Sequence, residues 1–353
     1  MRSILGIGSL LVAVALSFSV APALGLLLKG GAAGYTDFCS QSFIAGSCIY
    51  AYDLNQRRVS SNAVPFKLTR ISDSATLNGS YIGGTFSVNV SAVTAFCVGN
   101  GGTTTAQTYS TQYNDCTYTT IYNQTGMGCD LIAGAPYNLT SATAHAPLVQ
   151  VRTSDGTLAI ITPGTGIAGS PAVPYTSPAA KYLFSNGCTL ADGGAARTLI
   201  GRGSNAFYGD VTHASGEYGR IETNPAPGNV PSGSAMNTEF FVSGGFSDYD
   251  TDIEGGALCV AGSPFSTSPT IDVTGVITYS STAGGSNIWY NNSQTGPANC
   301  APFTTVNTQD GIVIGCSGDY TLCNNNYFRG MAILNIDASL TAGLPSQIYN
   351  ALR

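Results

Sequence analysis

The chain has 353 residues, and only 9% of them are charged, against about 25% in an ordinary soluble domain. With 43% apolar residues, 19 Tyr and 14 Phe, it does not have the composition of a disordered chain. A net charge of −6, three lysines and no basic cluster beyond Arg57-Arg58 argue against nucleic-acid binding, and two histidines, His145 and His213, are too few for a multi-histidine metal centre. No cofactor is expected. The hydroxyl-rich, weakly charged composition suits an exported protein whose partner is a neutral polysaccharide or oligosaccharide.

In chain order, the first element is an uncharged stretch between Arg2 and Lys29, with an apolar core from Ile4 to Val20 followed by Ala21-Pro22-Ala23. A small-x-small pattern behind such a core predicts a secretory signal peptide over residues 1–23, extending at most to 34. Pro22 and Gly25 fall where a membrane-spanning helix would have to continue. The expected mature chain is therefore secreted or periplasmic and free of the membrane. Ten cysteines follow, an even number that implies disulfides in an oxidising compartment. Close spacing makes Cys39–Cys48 and Cys316–Cys323 candidate local loops. Sequons begin at Asn78, Asn89, Asn123, Asn138 and Asn291.

Helical periodicity is nearly absent. Short β-rich runs recur between Gly, Pro, Asn and Ser clusters: 157–162, 238–242, 270–279, 311–315 and 327–336. Many short strands without a longer repeat predict an all-β sandwich or barrel, with residues 35–353 forming one domain. One short helix is predicted at the C-terminus. Asp337 or Ser339 caps it, Leu340, Leu344, Ile348 and Leu352 form its stripe, and Gly343 with Pro345 confines it to the last turns.

Candidate chemistry narrows to carboxylates. Neither histidine sits in a nucleophile-elbow context and no G-x-S-x-G occurs. Asp248, Asp250, Asp252 and Glu254 alternate, a set of hard oxygens, but Ile253 stands at the glycine position of an EF-hand loop, and a solvated acidic loop is the simpler reading. A glycosidase needs two carboxyl groups across the scissile bond. The glutamates are Glu217, Glu222, Glu239 and Glu254, and Glu239 lies inside a strand-like run, where a charge must face water or a cleft. Asp319 ends a β-run in a Gly-rich loop that Cys316 and Cys323 can clamp.

Several segments in order resemble the catalytic domain of the fungal-type α-L-arabinofuranosidase B enzymes, glycoside hydrolase family 54. They are Cys39 to Cys48 with Ile49-Tyr50-Ala51-Tyr52-Asp53-Leu54, Leu68-Thr69-Arg70-Ile71-Ser72-Asp73, and Ala95-Phe96-Cys97 leading through Cys116 to Tyr122-Asn123-Gln124-Thr125-Gly126-Met127-Gly128. Ile288-Trp289-Tyr290-Asn291, Gln309 to Asp319, and Tyr327-Phe328-Arg329-Gly330 complete the set. The resemblance implies a concanavalin-like β-sandwich (jelly roll) and the disulfides Cys39–Cys48 and Cys97–Cys116. It implies a retaining α-L-arabinofuranosidase with Asp319, in Gly318-Asp319, as acid/base and Glu239 as nucleophile. Asn237, Gly318, Cys188 and Trp289 would line the sugar site. Asn237 and Phe240 stand where the family's Asp-x-Glu-Asn run has aspartate and asparagine, Cys188 stands alone where the family has two adjacent cysteines, and the family's arabinose-binding β-trefoil has no counterpart in this sequence. A non-catalytic, lectin-like carbohydrate-binding or surface-structural module is the alternative.

Overall fold

The computed structural model describes residues 37–107, 110–133, 146–162, 183–185, 196–203, 236–243, 246–253, 259–261, 273–280, 285–290, 292–294, 312–314 and 326–352. Thr36–Arg353 forms one compact unit; the preceding Met1–Tyr35 lies outside the described residues.

The amino-terminal strands are β1 (Cys48–Asp53), β2 (Phe66–Arg70), β3 (Thr76–Asn78), β4 (Thr104–Ala106), β5 (Ser110–Ile121) and β6 (Leu131–Ala133), with helix α1 (Val90–Val98) between β3 and β4. Next come β7 (Leu148–Arg152), β8 (Leu158–Thr162), β9 (Leu183–Ser185), β10 (Arg197–Gly203), β11 (Met236–Ser243), β12 (Phe246–Ile253) and β13 (Cys259–Ala261). The last are β14 (Val273–Ser280), β15 (Gly285–Tyr290), β16 (Ser293–Gln294), β17 (Ile312–Ile314) and β18 (Asn326–Leu334), followed by helix α2 (Leu344–Leu352). The result is an antiparallel β-sandwich. Its hydrogen-bonded path runs β16-β15-β14-β10-β18-β8-β7-β5-β6-β9-β17, with β1 on β18, β2 and β4 on β5, and β3 on β2. β11, β12 and β13 form a separate three-stranded sheet.

Strands β1, β10 and β18 are buried on both faces. Tyr50, Tyr52, Leu199 and Ile333 join one core cluster with Phe66, Leu68, Tyr118 and Ile160, while the alternate residues Ala51, Ile200, Ala332 and Leu334 join a second. Two-sided burial is why β18 reads as an almost unbroken apolar run rather than an alternating one. Phe66 and Tyr118 meet edge to face in the first cluster, 5.4 Å between centroids. The second cluster is closed by Phe38, Ile44 and α2, whose Leu344, Ile348 and Leu352 are buried. Each of those three contributes roughly 1.5–3 kcal/mol as an upper bound.

The expected strands coincide with β8, β11, β14, β17 and β18. The C-terminal helix is present, but Leu340 is 59% exposed and lies outside it, in a short 3-10 turn, Ala338–Leu340, capped by Asp337. Gly343, at φ +77°, separates that turn from α2. Helix α1 was not anticipated. Val90, Val93, Thr94 and Val98 give it a strand-like sequence; Asn89 nonetheless caps it by accepting from the Ala92 N–H, and Cys97–Cys116 ties it to β5. Cys39–Cys48 closes the loop in front of β1. Among the described residues no helix is long and apolar enough to cross a membrane.

Candidate active site

Glu239 and Asn237 lie on β11, which pairs with β12 so that Glu239 opposes Asp250 and Asn237 opposes Asp252. Directly opposed residues of an antiparallel pair share a face, and so do positions two apart. Asn237, Glu239, Asp250 and Asp252 therefore occupy one face of this ladder, with Asp248 next along it. This corrects the acidic-loop reading: Asp248, Asp250 and Asp252 belong to a strand, and their alternation is the strand period. Ile253, opposite Met236, is the last residue of β12, and Glu254 follows it in sequence. Asp319, Gly318, Cys188, Cys316, Cys323, His145 and His213 lie outside the described residues.

Trp289 is half-buried in β15 and packs against the core cluster beneath α2. Its neighbour Asn287 is buried, donating to the Ser339 hydroxyl at 3.3 Å and accepting from the Gln294 amide at 3.2 Å. Trp289 thus anchors the strand against the C-terminal segment.

The Tyr122–Gly126 element stitches the sandwich together. Asn123 is buried; its carboxamide oxygen accepts from the Ala51 N–H at 3.0 Å and its amide donates to the Gly128 carbonyl at 2.7 Å. Thr125 donates its hydroxyl to the Ile49 carbonyl at 2.8 Å. The Gln124 side chain accepts from the Arg58 N–H at 2.5 Å and donates to the carbonyls of Asp53 and Gln56, both at 3.2 Å. This motif therefore brings chain 72 residues downstream against β1 at the Ala51–Asn123 contact, and satisfies buried polar groups that water cannot reach.

Beneath it lies a feature that sequence reading missed. Arg58, 2% exposed, pairs with Asp53 through Nη2 at 2.6 Å and Nε at 2.8 Å, while the other Asp53 oxygen accepts from the N–H groups of Asn55 and Gln56. Arg58 and Arg202 both donate to the carbonyl of Leu352, at 3.4 and 2.7 Å, so the corner also holds the end of α2. The only hint in the sequence is two adjacent arginines in a charge-poor chain.

The loop after Gly126 turns through left-handed conformations at Gly126, Gly128 and Cys129, φ +75°, +74° and +64°. Cys129 is held there by a disulfide and by its carbonyl, which accepts from the Tyr52 hydroxyl. Burial, aided by the nearby Tyr50 and Asp130, pushes the Tyr52 phenol well above its ordinary value, so it stays a donor.

The sequence matches no family model and no curated protein. Solved structures do share the fold. An arabinofuranosidase complexed with arabinofuranosyl-α-1,2-xylobiose superposes with a TM-score of 0.62 at 14% identity, over 90% of this chain and 64% of that one. A GH54 α-L-arabinofuranosidase soaked with a cyclic sulfate inhibitor gives 0.60 at 14% identity, over 86% and 62%. A GH54 mutant soaked with 4-nitrophenyl α-L-arabinofuranoside gives 0.57 at 15% identity, again over 86% and 62%. The chain thus spans less than two thirds of the length of these structures, and what it shares with them at this identity is the β-sandwich.

Proposed function

We propose that the chain is an exported retaining glycoside hydrolase that releases α-L-arabinofuranosyl units from a polysaccharide. The observation that carries this reading is the likeness in fold to arabinofuranosidases over 86–90% of the chain, joined to the Gly318-Asp319 match in sequence. The Cys39–Cys48 and Cys97–Cys116 disulfides suit an extracellular or periplasmic protein.

In this mechanism the Glu239 carboxylate attacks the anomeric carbon as Asp319 passes its proton to the departing glycosidic oxygen. A glycosyl ester forms, and the ionised Asp319 then takes a proton from water, which displaces Glu239 with a second inversion. The two carboxyl groups must stand about 5–5.5 Å apart. A second assignment of the nucleophile has its own support. Asp252-Ile253-Glu254 carries the Asp-x-Glu order that the resemblance requires, its first two residues closing β12, whereas Glu239 lies within β11.

Hydrolysis of 4-nitrophenyl α-L-arabinofuranoside by Asp319→Asn, Glu239→Gln and Glu254→Gln variants tests both. Asp319→Asn should lose most activity. Of the two glutamate variants, the inactive one that azide rescues to an arabinofuranosyl azide of inverted configuration marks the nucleophile. A folded wild type that cleaves no aryl furanoside would instead identify a non-catalytic sugar-binding module. Sequencing the exported protein's N-terminus tests cleavage after Ala23.

A further inference from the structure

We propose that the chain carries a second carbohydrate site, separate from the carboxylates assigned to catalysis, which takes a neutral saccharide. The site is a pocket of about 490 Å³ between the end of β3 and the loop following β5, lined by Asn62, Val64, Asn78, Tyr122, Asn123 and Asp130. That volume lies in the range of pockets that hold small molecules, about 300–1,000 Å³.

The lining chemistry selects the ligand. Among the described residues no lysine, arginine or histidine lines it and one carboxylate does, so an anionic ligand meets repulsion without compensation from them. What the wall offers is unspent hydrogen-bonding capacity of both signs. The Asn62 carbonyl oxygen accepts from the Tyr81 hydroxyl at 2.8 Å, which fixes the carboxamide and leaves its NH₂ as a donor. Asp130 accepts from the Asn123 N–H at 2.8 Å with one oxygen and keeps the other as an acceptor. The side chains of Asn78 and Tyr122 make no hydrogen bond among the described residues. A sugar hydroxyl donates one bond and accepts two, so neighbouring hydroxyls match a wall that pairs carboxamide donors with a carboxylate acceptor. Val64 and the Tyr122 ring add the apolar surface that the C–H groups of a sugar need.

The pocket is also pre-formed. Its floor is the loop that buried Asn123 bonds to β1 and that the Tyr52 hydroxyl holds at the Cys129 carbonyl, so little ordering remains to oppose binding. Gly126 and Gly128 reach their left-handed conformations without strain and keep side chains out of the mouth.

The test is calorimetric titration of the mature chain, made in a bacterial periplasm so that the Asn78 sequon carries no glycan. The probes are methyl α-L-arabinofuranoside, xylobiose and, as anionic control, glucuronate. The background is Asp319→Asn, which prevents turnover. At least one neutral probe should bind at concentrations up to about 50 mM, and glucuronate more weakly. Asn78→Ala and Tyr122→Ala should each weaken the neutral probe about tenfold, and Asn78→Ala should do so without moving the thermal midpoint, since Asn78 is exposed. Adding Glu239→Gln and Glu254→Gln should leave the affinity unchanged, which separates this site from the glycosidase reading. Absence of neutral-sugar binding overturns the proposal. So does binding indifferent to Asn78 and Tyr122, or binding lost with the glutamates, which would place the sugar at the catalytic carboxylates.

Discussion

Two arginine–aspartate pairs in the amino-terminal part of the chain share chemistry and differ in burial. At the corner after β1, the side chains of Arg58 and Asp53 are 2% and 4% exposed. At the turn joining β2 to β3, Arg70 meets Asp73 through two parallel hydrogen bonds of 2.9 and 2.5 Å, with side chains 14% and 33% exposed. Arg70 also lies 5.0 Å from the centre of the Phe96 ring and donates to the Phe96 carbonyl, so its turn is stitched to α1. The turn pair has the better fork geometry and the smaller expected effect. Water competes for it and salt screens it, whereas nothing replaces either partner at the corner.

The largest expected effect is therefore at Arg58. Arg58→Met should destabilise the fold by about 3–5 kcal/mol, because it leaves the Asp53 carboxylate buried without its cation. Urea unfolding of Arg58→Met, Asp53→Asn and the double variant measures this. The double variant should lose much less than the sum of the singles. Additive losses would mean that the two side chains act independently, and the contrast with the turn would fail.

The glycines beside each pair sharpen the contrast at intermediate size. A Cβ on Gly330, in β18, would sit 2.9 Å from an Asp53 carboxylate oxygen and 2.9 Å from the Tyr52 carbonyl. Neither can retreat, one being backbone and the other held by Arg58, so Gly330→Ala should cost about 1–3 kcal/mol. A Cβ on Gly99 would meet the Arg70 guanidinium at 2.6 Å, the far end of a flexible side chain. Gly99→Ala should displace that guanidinium and shift the midpoint less than Gly330→Ala does. The reverse order would show that the turn is the more rigid of the two.

These local differences also explain what the sequence made legible. Strands β8, β11, β14, β17 and β18 could be read because each is a β-branched or apolar run between turn-forming residues, a property of neighbours in the chain. Helix α2 could be read from its stripe. The corner could not, since Asp53, Arg58, Gln124, Arg202 and Leu352 meet only after β1, β10 and α2 have packed. Helix α1 was hidden because its β-branched residues argue for a strand, and a cap with a disulfide overrides them. The proposed saccharide pocket depends on residues 62, 78, 122 and 130, brought together by β2–β3 and β2–β5 pairing rather than by any motif. For the candidate catalytic pair, the strand under Glu239 was legible, and the register that sets it opposite Asp250 was not.

The smallest expected effect belongs to Asp73, and it is visible only as a pH dependence. Hydrogen bonds from Arg70, with a further one from the Ala75 N–H, hold its carboxyl at about 2, below the ordinary 3.8. A carboxyl with a lowered folded value binds its proton more readily in the unfolded chain. Its stabilising contribution is therefore complete above the unfolded value and disappears as pH falls towards about 2. The difference in thermal midpoint between wild type and Asp73→Asn should accordingly be constant from neutral pH down to about 4 and should close between about 4 and 2. Other carboxylates titrate in the same range, but they are common to both proteins and drop out of the difference. Raised salt should shrink the plateau, as expected for an exposed pair, and should leave the Arg58–Asp53 coupling nearly untouched. A plateau that resists salt, or a difference that persists at pH 2, would mean that Asp73 acts through its Ala75 turn rather than through Arg70.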